Sequence, residues 1–283
     1  MKKHKELANL GKINTLKVLR ITKLGCVLDA GDLGEVLMPA KYMSTDDDVD
    51  DELEVFLYKD SEDRLIAGTD FPKAQVGEFA FLEVVAITSF GAFLDWGLEK
   101  DLFVPFFEQK RKMEDGKSYI VYLYIDEKTQ RIAATAKFDK YIAKYPDTFK
   151  VNQEVNLLIS EQTDLGYKAI INNTFLGIIY KNEVYKPIRV GQTMKGYIKK
   201  VREDNRIDLS LQKVGFVRME DDTTVVLDVL KQSHGFLKVS DNSSPDEIYR
   251  IFGISKKSYK KAVGSLYKNK LINIEQDGIR LVK

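Results

Sequence analysis

Cysteine is almost absent from this sequence, which has one, Cys26, among 283 residues. A single thiol excludes an internal disulfide framework and is typical of proteins in reducing compartments. The sequence also lacks any run of about 20 apolar residues, the length that a membrane-spanning helix needs. No apolar signal region follows the basic start MKKHKELANLGKIN. We therefore expect a soluble, cytoplasmic protein with no membrane partner.

An excess of charge of one sign is lacking as well. Lys and Arg together number 44, and Asp and Glu together number 43. No field of the whole molecule points to a nucleic acid or a membrane, so any electrostatic argument must be local. Proline is scarce, with six residues, whereas Phe and Tyr number 15 and 14. Short apolar runs that often alternate with polar residues favour a mainly β protein with packed cores over disorder.

Motifs for catalysis are missing too. Neither of the two histidines, His4 and His234, has an evident role as a base or nucleophile. The sequence contains no Cys/His metal cluster, no phosphate-binding Gly-Lys loop and no dinucleotide-binding glycine pattern. We predict that the protein is not an enzyme and uses no cofactor or metal.

What the sequence does contain is a repeat. In two copies a glycine is followed by an aspartate four residues later, a proline 14 residues later and an arginine 39 or 40 residues later. The third copy is weaker and keeps only the arginine. The glycines are Gly25, Gly91 and Gly166, and the arginines are Arg64, Arg131 and Arg206. A period of roughly 65 to 75 residues indicates tandem modules of one architecture.

Each copy reads as five short strands, of which the last two are joined by a charged tight turn, as in LEVFLYKDSEDRLIAG. Five short antiparallel strands cannot bury two faces as a flat sheet, whereas a small barrel fills its interior and removes the exposed edges. The pattern predicts three tandem five-stranded OB-type barrels over residues 1–70, 71–145 and 146–214. The recurring glycine is expected to allow a sharp bend or bulge at a barrel corner.

After the third copy the pattern becomes helical. The segment DTTVVLDVLKQS predicts one helix, Pro245 lies in the first turn of a second helix that ends at Gly253, and Ser255 begins a third helix. The C-terminal segment LINIEQDGIRLVK predicts a hairpin that turns at Asp277-Gly278. Three helices and a hairpin are the order of a winged helix, which we assign to residues 215–283.

The second copy, from FLEVVAITSFGAFLDWG to RIAATAK, resembles the S1 RNA-binding domain, which is an OB fold. The Phe-Gly-Ala-Phe turn and the hairpin ending in Arg-Ile carry this resemblance. With three such copies followed by a winged helix, the whole chain resembles the conserved virulence factor B family of bacterial RNA-binding regulators. The resemblance implies a regulatory role in gene expression, exerted on RNA.

The resemblance also implies the residues that contact RNA. S1 domains use two aromatic residues around the glycine, a histidine, and an Asp and an Arg at the last hairpin. The matching residues of the second copy are Phe90, Phe93, Asp126 and Arg131, and Val104 stands at the histidine position. The other copies match only in part. The first keeps Asp60 and Arg64 but has Leu24 and Val27 for the aromatic residues, and the third keeps Arg206 but has Leu165 and Lys168.

Physical chemistry gives these residues a second justification, because single-stranded RNA offers flat bases and an anionic backbone to exposed rings and cations. In a strand, Phe90 and Phe93 point to opposite faces unless a bulge at the glycine brings both to one side. Either ring could instead belong to the core, and Arg131 could simply pair with Asp126 across the hairpin. We expect Trp96 at the rim and Phe103 in the core.

Two charged segments lead to opposite predictions about nucleic-acid binding. Lys256, Lys257, Lys260 and Lys261 lie on one side of the third helix, which a winged helix uses for recognition, so they predict nucleic-acid contact although such runs are often only solvated. The acidic stretch STDDDVDDELE in the first copy should repel phosphate. We therefore expect the first copy to be a spacer or a protein-contact unit.

The sequence thus predicts a non-catalytic regulator that binds single-stranded RNA through several modules on one chain. Two alternatives stay open. One is a DNA-binding transcription regulator led by the winged helix, with the barrels as an oligomerising or sensing body. The other is an accessory subunit of a ribonuclease.

Overall fold

The computed structural model describes residues 8–145, 149–184, 187–213 and 219–282. The chain forms two compact units that divide between residues 214 and 215. The first unit contains three five-stranded β structures and the second contains three helices and a small sheet. The boundaries predicted at residues 146 and 215 fall outside the described residues and stay predictions, as does the boundary at residue 71.

The first barrel is closed, with the strand order β1-β2-β3-β5-β4. Its strands are β1 (Ile13–Thr22), β2 (Gly25–Asp29), β3 (Glu35–Pro39), β4 (Glu52–Lys59) and β5 (Leu65–Gly68). The third barrel is also closed and repeats this order with β11 (Glu154–Gln162), β12 (Gly166–Ile171), β13 (Phe175–Tyr180), β14 (Thr193–Val201) and β15 (Ile207–Ser210). Their closing pairs, β3 with β5 and β13 with β15, are parallel, so the expectation of purely antiparallel strands is wrong.

The second barrel is a curled sheet with the order β10-β9-β6-β7-β8. Its strands are β6 (Phe79–Ile87), β7 (Gly91–Asp95), β8 (Leu102–Pro105), β9 (Ser118–Ile125) and β10 (Ile132–Thr135). The two edge strands, β8 and β10, lie side by side and nearly close the barrel. The prediction of three tandem five-stranded barrels is therefore confirmed.

Each barrel has a bulge in its first strand, whereas the recurring glycine pairs with the third strand without a register shift. The pairing register shifts between Val84 and Ala86 in β6, and corresponding shifts occur between Val18 and Arg20 in β1 and between Ile159 and Glu161 in β11. A bulge of this kind lets one long strand curl and pair with a neighbour on each side. The expected bulge at the glycine is wrong.

The glycines instead permit a close approach of two backbones. A Cβ atom on Gly91 would lie 2.3 Å from the carbonyl oxygen of Val104, and on Gly25 or Gly166 it would lie 2.0 Å from the equivalent oxygen. Gly25 and Gly166 also have φ angles of +142° and +151°, which side-chain-bearing residues rarely adopt. The structural role predicted for these glycines is confirmed, for a different reason.

Apolar contacts join the barrels of the first unit, although each barrel has a core of its own. Phe56 of β4 is fully buried in the core of the second barrel, where its ring meets Trp96 edge to face at 5.7 Å. Trp96 is only 4% exposed, so the expectation that it lies at the rim is wrong. Between the second and third barrels, Phe79 and Phe138 pack with Ile170 in another buried cluster. Aromatic rings at these junctions bury large areas and hold the modules together.

The C-terminal unit has the order expected of a winged helix. It comprises α1 (Met219–Gln232), β16 (Phe236–Leu237), α2 (Pro245–Phe252), α3 (Lys256–Lys268), β17 (Ile272–Glu275) and β18 (Gly278–Leu281). The hydroxyl oxygens of Ser244 and Ser255 accept hydrogen bonds from the backbone amides of Glu247 and Ser258, respectively. These bonds cap the N-termini of α2 and α3. Gly253 ends α2 in the left-handed conformation, with φ of 67°.

The small sheet of this unit differs from the prediction in two details. Its order is β16-β18-β17, and the two-residue strand β16 was not predicted because so short a segment has no periodicity. Glu275 pairs with Gly278, so the hairpin turns at Gln276-Asp277, one residue earlier than expected. Across the described parts of the chain, no helix is long and apolar enough to cross a membrane.

Candidate nucleic-acid interface

A groove lined mainly by the second barrel brings together the four residues predicted for that barrel, which are Phe90, Phe93, Asp126 and Arg131. Its volume is about 970 Å³, and we call it the aromatic groove. Its rings are Tyr58, Phe90, Phe93, Trp96, Phe103, Phe106 and Phe107, and its charged residues are Lys59, Lys100, Asp101, Asp126, Lys128 and Arg131. Aromatic faces beside an excess of cations suit a ligand that is both flat and anionic.

Phe90 stands at the tip of the turn that precedes β7 and is 77% exposed. The hydroxyl of Thr88 donates to the carbonyl of Gly91 at 3.2 Å and accepts from the amide of Phe90 at 3.3 Å, which fixes the turn. Because Phe90 lies outside the strand, the alternation of a strand does not apply to it. This turn, and not a bulge, brings Phe90 and Phe93 to one groove.

Phe93 is half-buried in the wall of the groove. Its ring lies 5.1 Å from that of Phe103, which is also half-buried and not fully in the core. The 3₁₀ turn after Pro105 adds two more rings, and its first amide, that of Phe106, donates to the carbonyl of Phe90 at 3.2 Å. Phe107 is 68% exposed. The sequence analysis missed these two rings, although the two phenylalanines directly after the recurring proline, in PFFE, could have indicated them.

The same turn occurs in the other two barrels with a different tip. The hydroxyls of Thr22 and Thr163 donate to the carbonyls of Gly25 and Gly166 at 2.8 and 3.1 Å. The tip residues are aliphatic, with Leu24 at 73% and Leu165 at 63% exposure. Leucine offers no π face to a base, so these barrels keep the scaffold of the turn without its aromatic platform.

Arg131 lines the groove but does not pair with Asp126, so the alternative of a simple pair across the hairpin does not hold. Its guanidinium forms two hydrogen bonds with the carboxylate of Asp63, at 2.7 and 2.8 Å, on the first barrel. Asp126 instead accepts from the amides of Lys128 and Thr129 and from the Thr129 hydroxyl. The hydrogen bonds from Thr129 are the main cause that lowers the pKa of Asp126, which shapes the turn of the hairpin as an anion.

The arginines of the other two hairpins form ion pairs with acidic residues of their own hairpin. Arg64 pairs with Asp60 and Glu62, each at 2.8 Å, and Arg206 pairs with Asp204 at 3.4 Å. Neither arginine lines the aromatic groove. Val104, at the position of the histidine of S1 domains, is fully buried and offers nothing to a ligand.

The four predicted lysines of α3 are not equivalent. The ammonium of Lys256 donates to the carbonyl of Ser243 at 2.7 Å, and that of Lys260 lies 3.4 Å from the Asp241 carboxylate. Lys257 and Lys261 are exposed, and neither forms an ion pair with any residue that the structure describes. Four residues apart, they lie on one face of α3, where they can meet an anion together.

Two family models match the chain. Residues 10–70 and 76–137 each match the S1 domain, and residues 224–281 match the CvfB-like winged helix domain. The segments correspond to the first barrel, the second barrel and the C-terminal unit. S1 and winged-helix domains indicate nucleic acid as the class of partner, and neither is a catalytic domain.

Relatives match over nearly the whole chain. Conserved virulence factor B of Staphylococcus epidermidis is 27% identical, over 97% of this chain and 95% of that protein. YitL of Bacillus subtilis is 29% identical, over 92% of this chain and 89% of that protein. A solved structure, described as a multidomain protein with nucleic acid binding domains from Streptococcus pneumoniae, is 25% identical, over 96% and 98%, with a TM-score of 0.41.

The chain is therefore a protein of S1 domains joined to a CvfB-like winged helix. The resemblance to the conserved virulence factor B family drawn from its residues is confirmed, because relatives of that name match over nearly the whole chain.

Proposed function

We propose that this protein binds single-stranded RNA in the cytoplasm and regulates gene expression through that RNA, without catalysing a reaction. The observation that carries the proposal is the exposed ring of Phe90 beside Phe93 in a groove that also holds Lys100, Lys128 and Arg131. A base stacked on such a ring is worth about 1–3 kcal/mol. Duplexes hide their base faces, so the groove favours single strands over double-stranded DNA.

The predicted residues take different parts in this proposal. Phe90 and Phe93 stack on bases. Arg131 leaves Asp63 and binds a phosphate of the RNA backbone instead. An exposed ion pair is worth only about 0–1 kcal/mol, so this exchange costs little. Asp126 holds the hairpin on which Arg131 lies. Lys257 and Lys261 of α3 add a second contact with the same strand, and two weak contacts on one chain strengthen each other through effective concentration.

The test is fluorescence anisotropy with labelled oligo-U, oligo-A and duplex DNA at two salt concentrations. Phe90→Ala with Phe93→Ala should weaken binding of the single strands by at least 5-fold, the equivalent of about 1 kcal/mol for one lost stack. Tyr145→Ala is the matched control, because Tyr145 is an exposed ring outside the groove. Preference for the duplex, or equal affinities of the two variants, would contradict the proposal.

A second candidate, binding of duplex DNA by the winged helix, is favoured by the exposed Lys257 and Lys261 on its recognition helix. The duplex arm of the same experiment measures it. Activity as part of a ribonuclease is tested separately, by incubating labelled RNA with the pure protein and Mg²⁺. We expect the RNA to stay intact.

A further inference from the structure

The aromatic groove is not confined to the second barrel. Two of the residues that line it, Tyr58 and Lys59, belong to the end of β4 in the first barrel. The volume of about 970 Å³ is at the upper end of the range of about 300–1,000 Å³ that is usual for small-ligand sites. The groove is therefore larger than a single base requires, and its extra length leads onto the first barrel.

The two barrels are joined firmly enough for residues of both to form one site. Phe56, two residues before Tyr58, is buried in the core of the second barrel. The amide of Ile13 donates to the side-chain oxygen of Gln75 at 2.8 Å, and the amide of Val76 donates to the carbonyl of Gly11 at 2.9 Å. The polar and apolar contacts together hold the end of β4 against the groove.

The end of β4 offers suitable chemistry. Lys59 forms no ion pair with any described residue, and its charge helps to lower the pKa of the Asp63 carboxyl, a shift caused mainly by the hydrogen bond from Arg131. Lys59 and Arg131 both act on that carboxylate, and both line the aromatic groove. The Tyr58 hydroxyl lies 3.1 Å from that of Tyr42, and burial raises the pKa of Tyr58, so this hydroxyl stays neutral.

We propose that the first barrel is one wall of the RNA site, where Lys59 contacts a phosphate of the strand whose bases stack on Phe90 and Phe93. This inference rests on the proposed function. It gives the first barrel a part in RNA binding even though its own turn has only Leu24 at the tip. The acidic stretch of this barrel does not line the groove, so it does not oppose the strand there.

The test uses labelled oligo-U of about 16 nucleotides, the upper end of the site size of one OB fold. Lys59→Gln is compared with Lys23→Gln, which removes the same charge from an exposed lysine of the same barrel outside the groove. Each phosphate contact contributes about 0.7 to the slope of log K against log salt. Lys59→Gln should reduce the magnitude of this slope by about 0.7. If the variant and the wild type bind equally in 1 M salt, the variant should therefore bind about 5-fold more weakly than the wild type in 0.1 M salt.

Lys59→Arg should retain the wild-type slope, because a cation remains at the same place. The inference is overturned if Lys59→Gln and Lys23→Gln have the same affinity and slope while Phe90→Ala still weakens binding. If Phe90→Ala has no effect either, the proposed function itself fails. The two failures are therefore distinguishable in one set of titrations.

Discussion

The second and third barrels have the same scaffold and different tips. Both begin their second strand with a glycine against a carbonyl oxygen, and in both a threonine hydroxyl closes the turn before that glycine. The tip is Phe90 in one barrel and Leu165 in the other. The residues that build the turn are constrained by backbone contacts, whereas the tip faces solvent and can vary with the ligand.

The scaffold is where a substitution should have its largest effect. A Cβ atom on Gly166 would lie 2.0 Å from the Ile179 carbonyl oxygen, so Gly166→Ala should destabilise the protein by about 3 kcal/mol or more. Gly91→Ala should cost a similar amount if the scaffold is shared. Urea unfolding measures both variants.

The matched control for these glycines is Gly264→Ala in α3, where a Cβ atom meets nothing within 4 Å. This change should stabilise the winged helix by about 0.5–1 kcal/mol, because glycine is costly in a helix interior. A Gly166→Ala variant as stable as the wild type would refute the close approach as the reason for the glycine.

The second comparison is within α3. Lys257→Gln with Lys261→Gln removes two ammonium groups that have no ion-pair partner among the described residues. If both contact phosphate and the variant matches the wild type in 1 M salt, it should bind single strands up to about 25-fold more weakly than the wild type in 0.1 M salt. Lys256→Gln with Lys260→Gln should lose less, because those two already contact Ser243 and Asp241. Equal losses for the two pairs would contradict this distinction.

The tip can be tested by a gain of function. Leu165→Phe gives the third barrel the aromatic tip of the second, on a turn closed by the same threonine-to-glycine hydrogen bond. One added stack should strengthen oligo-U binding by about 1 kcal/mol, or about 5-fold, in anisotropy titrations. Leu165→Met, which adds no ring, should leave the affinity unchanged. If Leu165→Phe does not strengthen oligo-U binding, an aromatic tip alone is not enough for a barrel to bind RNA.

The smallest effect is expected at the ion pair between the first two barrels. The hydrogen bond from Arg131 lowers the pKa of Asp63 below its unfolded value of about 3.9. The pair therefore stabilises the folded state fully above that value, and this contribution is lost as the pH falls through the lower folded pKa. The melting temperatures of wild type and Asp63→Asn should differ slightly at pH 6 and converge near pH 2. A constant difference would exclude this linkage.

Local features of the sequence were enough to predict the order of the modules. The period of the glycines predicted three barrels, and Pro245, Gly253 and Ser255 marked helix ends because such signals depend on residues only a few positions apart. The exposed position of Phe90 could be reached only through the resemblance to S1 domains, since a phenylalanine in an apolar run is as often core as surface.

Contacts between modules could not be predicted in this way. Arg131 meets Asp63 across 68 positions of sequence, and Trp96 is buried by Phe56 of another barrel. Such partners depend on how the barrels pack, which no periodicity within one module encodes. For the same reason, the sequence did not predict Tyr58 and Lys59 as groove residues, because their place in the groove depends on the junction of the first two barrels.

Ultraviolet crosslinking of the full chain to labelled oligo-U, followed by mass spectrometry of the crosslinked peptides, is the most direct test of the aromatic groove as the RNA site. We predict adducts within residues 84–110, centred on Phe90, Phe93 and Phe107, that disappear when an excess of unlabelled oligo-U competes. Adducts confined to the third barrel or the winged helix, with none on the peptides of the second barrel, would contradict it.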